Sequence, residues 1–312
     1  MKTWRSLADV PAAAGPSVVA IGKFDGVHIG HLAILRRLKE LADARSASSV
    51  VVTFDRHPAA LFAPEAAPED ITGLEHRIEL LEEAGVDATL VLPFTYELAA
   101  LSPHDFVEQV LVTALNASVV LVGHDFRFGA NASGDVATLS ALGETFGFEV
   151  IIIEDVHDGG GNRASSSAIR SLMAVGNVSD AAELLGRLPS VQGIVVHGAA
   201  RGRELGFPTA NLSQDATGLV PDDGVYAGWL TADGIRYPAA ISVGTNPTFE
   251  GQLHRTVEAY VIDEDLDLYD KFAVIEFAQR LRGMESFAGI EPLIAQMRED
   301  VNQARELLGA SA

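Results

Sequence analysis

Ser17-Val18-Val19-Ala20-Ile21-Gly22-Lys23-Phe24-Asp25-Gly26-Val27-His28-Ile29-Gly30-His31 is an apolar run that turns on glycine into two histidines three positions apart. Its first five residues are mostly β-branched or small and lie between Pro16 and Gly22, the pattern of a buried parallel strand. From about Gly30 the apolar residues Leu32, Ile34, Leu35, Leu38 and Leu41 recur at helical spacing, so the stretch reads strand, glycine turn, helix. The N–H groups of a helix start lack partners within the helix and carry the positive end of its dipole, which suits a phosphate. Residues three apart on a helix are neighbours, so His28 and His31 are expected to face one anion, with Gly22, Gly26 and Gly30 letting backbone and ligand come close. Two plainer uses of the pair stay open from these residues alone: part of a metal site, which would need further ligands, or a helix cap.

Outward from this motif the chain has two grammars. Up to about residue 186, short β-branched runs (49–54, 88–92, 119–123 and 149–153, besides 17–21) alternate with helical patterns, which predicts an α/β fold with about five parallel strands in a doubly wound sheet. Ser102-Pro103-His104-Asp105 marks a helix start, with a capping serine and proline at the first helical position. Ala63 to Asp70, rich in Ala, Pro and Glu, reads as a mobile loop. Beyond Arg187 to Ser190, apolar stretches at 193–197, 225–230, 239–243, 257–262 and 272–277 follow one another without intervening helices, the pattern of a C-terminal antiparallel β-barrel. Ile290, Leu293, Ile294, Met297, Val301, Ala304 and Leu308 place a terminal amphipathic helix against it. The expected domains are therefore residues 1–186 and 187–312.

Composition narrows the function classes. With 22 Lys and Arg against 43 Asp and Glu, the formal charge of −21 argues against binding a nucleic-acid backbone. The absence of cysteine removes disulfides and thiolate catalysis. No apolar run approaches a membrane span and no terminal segment reads as a signal peptide, so a soluble, cytoplasmic protein without a membrane partner is expected. Small anionic ligands remain, where arginines gather locally: Arg163 with Arg170, and Arg201 with Arg203.

Two further segments carry chemistry. Ala164-Ser165-Ser166-Ser167-Ala168-Ile169-Arg170 starts a helix, and its hydroxyls, amides and arginine suit a second anion, although serine-rich helix starts are also plain caps. Gly198-Ala199-Ala200-Arg201-Gly202-Arg203-Glu204-Leu205-Gly206-Phe207-Pro208-Thr209-Ala210-Asn211 is a glycine- and arginine-rich loop leading into an extended segment, where Thr209 and Asn211 share one face. A hydroxyl and an amide oxygen so placed suit magnesium while loop amides meet phosphate, although such a segment is more often a structural turn.

The string Gly-x-Phe-Asp-Gly-Val-His-x-Gly-His resembles the signature of nucleotidyltransferases whose His-x-Gly-His element grips a nucleoside triphosphate, with their Rossmann-like fold. Among these it is most similar to the adenylyltransferase module of the bacterial bifunctional riboflavin kinase/FAD synthetases. Phe207-Pro208-Thr209-Ala210-Asn211 resembles the riboflavin kinase hallmark, and Gly244-Thr245-Asn246-Pro247-Thr248-Phe249 and Thr256-Val257-Glu258-Ala259-Tyr260 follow in family order. The resemblance implies FMN formation from riboflavin and ATP in the barrel, and FAD and pyrophosphate from FMN and a second ATP in the N-terminal domain. Small molecules (riboflavin, FMN and ATP) are thus the expected partners, with Mg²⁺ as cofactor.

Carried over residue by residue, the resemblance makes Glu258 the kinase base and places Gly198, Arg203, Gly206, Pro208, Thr209 and Asn211 at its ATP, the last pair on Mg²⁺. For adenylyl transfer it implies His28, His31 and Arg170 as catalytic, and Gly22, Phe24, Asp25, Gly30, Asp125, Arg127, Arg163, Ser166 and Ser167 as ATP-binding. Phe62, Phe106 and Phe128 are candidates either for packing the flavin ring or for the core. Two positions depart from the pattern: Ser167 stands where the family has threonine, and Asp270 where Asp-Leu-Tyr is followed by glycine, so the adjacent turn is expected to differ. A nucleotidyltransferase for another phosphorylated acceptor with an accessory flavin-binding barrel, or an inactive flavin-binding homologue, would be the alternative readings.

Overall fold

The computed structural model describes residues 1–312 except 13–14, 155, 158–160, 162, 199–204, 248–252 and 310–312. Two compact units divide it, Met1–Ala164 and Ser165–Ala312.

In the first unit the strands are β1 (Lys2–Trp4), β2 (Ser17–Ile21), β3 (Ser48–Phe54), β4 (Ala88–Leu92), β5 (Ala117–Gly123) and β6 (Glu149–Ile153). They form a parallel sheet in the order β1-β4-β3-β2-β5-β6. Five of the six match the predicted strands; β1, only three largely exposed residues, carries no apolar pattern and adds an edge beside β4. Between them lie α1 (Ile29–Arg45), α2 (Pro58–Phe62), α3 (Leu74–Glu83), α4 (Tyr96–Ala100), α5 (Pro103–Phe106, running on as a π-helix over Val107–Ala114) and α6 (Val136–Phe146).

Alternate strand residues feed two cores, as a sheet covered on both faces requires. Val19, Ile21, Val50, Val52, Leu90 and Val120 pack with Phe106, Leu111 and Leu139 on one face. Val18, Ala20, Val51, Val119 and Leu121 meet Leu35, Leu38 and Leu41 of α1 and Leu81 of α3 on the other. The predicted cap at Ser102 is present, its side chain accepting from the Asp105 amide at 3.1 Å. The segment expected to be a mobile loop contains a 3₁₀ turn at Pro64–Ala66, and its last residue, Asp70, pairs with Lys23. The chain runs from β2 to β3 and β4 on one side, then returns to β5 on the other, so a switch point opens beyond the carboxyl ends of β2 and β5, the place where such sheets bind ligands.

The second unit starts with α7 (Ser166–Ala174) and α8 (Val178–Leu185), which packs on the barrel strand β12. Strands β7 (Ser190–Val196), β8 (Ala210–Leu212), β9 (Gly224–Ala232), β10 (Ile235–Pro247), β11 (Leu253–Val261) and β12 (Phe272–Arg282) close an antiparallel barrel in the order β10-β11-β8-β7-β12-β9. The short β8 joins the barrel at the riboflavin kinase-like motif, pairing Asn211 with Glu258. The terminal helix α9 (Ile290–Leu308) covers β9 and β10 with Ile294, Met297, Val301 and Ala304; Ile290, expected on the buried face, stays 64% exposed because it is the first residue of the helix. Asp270 holds φ at 60°, the left-handed region that glycine would take, and its amide donates to Val195 O at 2.9 Å. The turn is therefore kept with aspartate, one of the residues that tolerates this region.

Asp300 of α9 takes two charge-assisted hydrogen bonds from Arg282 of β12, at 2.9 and 2.7 Å, and one from Gln296. The hydrogen bonds that Arg282 donates to the Asp300 carboxylate raise the Arg282 pKa. Removing one partner of a buried pair strands the other, so Asp300→Ala is expected to cost roughly 3 kcal/mol, read as a lower urea midpoint for the barrel.

Candidate functional sites

In the first unit the strand-to-helix turn is as the sequence predicts, and strained. Phe24 and Val27, both buried, sit at φ 51° and 36°, and a β-branched residue there is an outlier of the kind found where surrounding structure holds a functional turn in place. His28 is the N-cap of α1: its Nδ1 accepts the His31 amide at 3.4 Å. That leaves the proton of the neutral ring on Nε2, a donor. The His28 and His31 rings stack at 3.7 Å, and the Phe24 ring lies 5.0 Å from His31. The histidine pair and the cap thus coexist. Among the described residues, the only group of three or more His, Asp and Glu side chains close enough to share a metal is the largely exposed His104, Asp105 and Glu108, away from this pair.

Gly30 faces the ring it must clear: a Cβ there would stand 3.0 Å from the His28 ring. Gly22 lies against the Phe24 ring at 3.2 Å by the same measure. Asp25 is 1% exposed, and Oδ1 accepts the amides of Ile71 at 2.9 Å and Thr72 at 3.3 Å, tying the turn to the segment before α3. Beyond β5, Asp125 pairs with Arg163 at 3.4 Å, and Arg127 with Asp135 at 3.8 Å.

Phe62, Phe106 and Phe128 converge on a cavity of about 720 Å³. Phe106 and Phe128 are buried, with rings 5.8 Å apart, whereas Phe62 is 63% exposed at the rim against Tyr96. Core and cavity wall are thus compatible roles. Phe54, Phe94, Tyr96 and Phe126 stand in the same wall, Phe54 as the last residue of β3 and Phe126 just beyond β5, on the side where such sheets bind ligands; Phe94 and Tyr96, after β4, had no motif to announce them. Gly129, at φ 71°, closes this wall onto Pro103, which an added Cβ would meet at 2.8 Å.

In the second unit, Ser165 caps α7, accepting from Ala168 N at 3.2 Å, so Ser166 and Ser167 occupy the first helical positions and Arg170 the next turn. In the barrel, Thr209 Oγ1 donates to Glu258 Oε2 at 3.2 Å, and Asn211 Nδ2 donates to Thr209 O and Oγ1 at 3.1 and 3.3 Å. The Glu258–Asn211 pairing across β11 and β8 brings these oxygens together. Gly198 leaves the space that the Asn211 amide fills, Gly206 has φ 86°, and Pro208 lines a small pocket with Thr209 and Tyr269. Arg201, Arg203, Thr248 and Phe249 lie outside the described residues.

Glu258 and Thr209 also open on a second cavity, about 520 Å³, walled by Phe207, Tyr260, Met284, Phe287, Leu293 and Met297. Phe207 and Tyr260 stand in the quoted motifs without an assigned contact, whereas Met284 and Phe287 after β12 carry no motif and Leu293 and Met297 of α9 read as core.

Two family models match the chain, FAD synthetase over residues 10–168 and riboflavin kinase over residues 185–308. A bifunctional riboflavin kinase/FMN adenylyltransferase of Escherichia coli (strain K12) is 36% identical over 94% of this chain and 93% of its own length. The Pseudomonas fluorescens protein of that name is 38% identical over 95% and 94%. A crystal structure from Streptococcus pneumoniae described as a macrolide-efflux protein superposes with a TM-score of 0.86 and 32% identity, covering 97% of this chain and 98% of that one. Among the described residues of this chain, no helix is long and apolar enough to cross a membrane. With the two models covering successive halves and relatives matched nearly end to end, the chain belongs to the bifunctional riboflavin kinase/FMN adenylyltransferase family.

Proposed function

We propose that the chain makes FMN from riboflavin and ATP in its barrel, and FAD with pyrophosphate from FMN and a second ATP through the nucleotidyltransferase motifs. The observation that carries the reading is the Glu258 carboxylate, hydrogen-bonded to Thr209 beside Asn211 and facing an apolar cavity large enough for a flavin ring. Glu258 accepts the proton of the ribityl 5′-hydroxyl as that oxygen attacks the γ-phosphorus, and ADP leaves. Thr209 Oγ1 and the Asn211 carbonyl are hard oxygen donors of the kind Mg²⁺ takes, and with Glu258 alongside they suit it; the ion would neutralise charge on the phosphate oxygens. Gly198, Arg203, Gly206 and Pro208 supply the loop that meets the ATP phosphates.

For adenylyl transfer the demand is positioning and charge stabilisation as the FMN phosphate attacks the α-phosphorus. His28 donates from Nε2, His31 joins it, and the α1 amides add their dipole. Gly22, Phe24 and Gly30 shape the turn, Asp25 holds it, and Asp125, Arg127 and Arg163 line the approach from β5. Ser166, Ser167 and Arg170 are assigned to the pyrophosphate on their motif; the FAD synthetase match takes in the two serines and ends at residue 168, before the arginine. Phe62, Phe106 and Phe128 pack the flavin of FMN. The functional division proposed is 1–186 and 187–312, later than the packing division because α7 and α8 pack with the barrel.

Purified protein given riboflavin, ATP and magnesium is expected to produce FMN, then FAD, resolved by chromatography. Adenylylation of another phosphate with no FAD from supplied FMN would favour a different acceptor.

A further inference from the structure

Arg77 of α3 is a fully buried cation outside every motif: its residue is 0% exposed, deep under the phosphate-binding turn. Its guanidinium reaches two backbone carbonyls. Nη1 donates to Lys23 O at 3.0 Å, in the turn after β2, and Nη2 donates to Phe54 O at 2.8 Å, at the end of β3. Thr53 Oγ1 donates to the same Lys23 carbonyl at 2.9 Å. Nε has no hydrogen-bond partner among the described residues. Burial pulls the Arg77 pKa down, and the carboxylates of Asp25, Asp70 and Asp55 oppose it.

Burying a guanidinium is costly, and apolar packing would be the cheaper way to fill this space. What the cation does is specific to its fork. The two nitrogens are spaced to hold two carbonyls belonging to different strand ends, and Lys23 O begins the turn that puts Phe24 and Val27 at positive φ before His28. Phe54, whose carbonyl is the other anchor, is itself in the wall of the aromatic cavity. The clamp therefore fixes the histidine turn relative to the flavin-side wall.

We propose that Arg77 is a positioning residue for adenylyl transfer, clamping the ends of β2 and β3 so that the His28–His31 turn and the aromatic cavity keep one geometry. This rests on the reading of FAD synthesis given above. A displacement of about 1 Å in a reacting pair costs about 100-fold in rate, so the loss of the fork falls on kcat at saturating ATP and FMN.

The test uses the full-length chain as wild type, Arg77→Met and Arg77→Lys, assayed separately for FAD from FMN and for FMN from riboflavin, with the folded fraction of the first unit measured by limited proteolysis. Wild type forming no FAD would overturn the activity itself. With wild type active, the clamp requires FAD synthesis per folded molecule to fall about 100-fold in Arg77→Met and at least tenfold in Arg77→Lys, which keeps the charge but not the fork, while the kinase rate stays within twofold. FAD synthesis that merely follows the folded fraction overturns the clamp. Should Arg77→Met fail to fold, Arg77→Lys decides alone, and wild-type kcat in that variant overturns the proposal.

Discussion

Glu258→Gln is expected to stop FMN formation while leaving conversion of supplied FMN to FAD at the wild-type rate. The substitution keeps the shape of the side chain on β11 and leaves an oxygen for the Thr209 hydroxyl, but removes the carboxylate beside Thr209 that is assigned to take the hydroxyl proton. General-base removal costs about 10²–10⁴-fold, and a residue whose carboxylate also holds the Thr209 hydroxyl belongs at the upper end. FAD synthesis should be spared because the FAD synthetase match ends at residue 168, far in sequence from β11. Chromatography of flavin products from riboflavin, then from FMN, reads both halves. A kinase rate within tenfold of wild type would remove Glu258 as the base, and loss of both activities in a folded variant would end the claim of separable sites.

The expectation survives from sequence to structure best where chemistry is local. The turn after β2 is legible because strand, glycines, histidines and helix period lie within one stretch, and the cap at His28 follows from the same residues. Strand β1 is not legible: it has three residues and exists because a distant strand, β4, offers it hydrogen bonds, while β8 is legible as an extended segment but not as a barrel strand, since its partner β11 lies about 45 residues on. Asp25 illustrates a different limit. Its place in the motif suggests a ligand contact, but Oδ1 accepts the amides at 71 and 72, which no spacing in the motif announces. The barrel cavity was hidden for a related reason. Met297 and Leu293 have the helical period of core residues, and only the closed barrel reveals that they also bound a space beside Glu258. Arg77 carries no pattern at all; a lone arginine in an amphipathic helix reads as solvated until two strand ends are found above it.

His28→Ala is expected to stop FAD formation and leave FMN accumulating from riboflavin. Two effects are removed together. Nδ1 no longer accepts the His31 amide, a lost cap worth about 1 kcal/mol of stability. Nε2 no longer donates where charge builds on the triphosphate, and losing one such preorganised donor costs about 10²–10³-fold in rate. His31, stacked on His28 at 3.7 Å, also loses the ring that orients it, which adds to the second effect. His28→Asn separates the two: asparagine is a good cap, so it restores the denaturation midpoint, but its short amide does not place a donor where Nε2 stands. A stable His28→Asn protein that still lacks FAD synthesis assigns the histidine to phosphate chemistry. Recovery of FAD synthesis in step with the midpoint would mean that the cap alone was what the motif needed there.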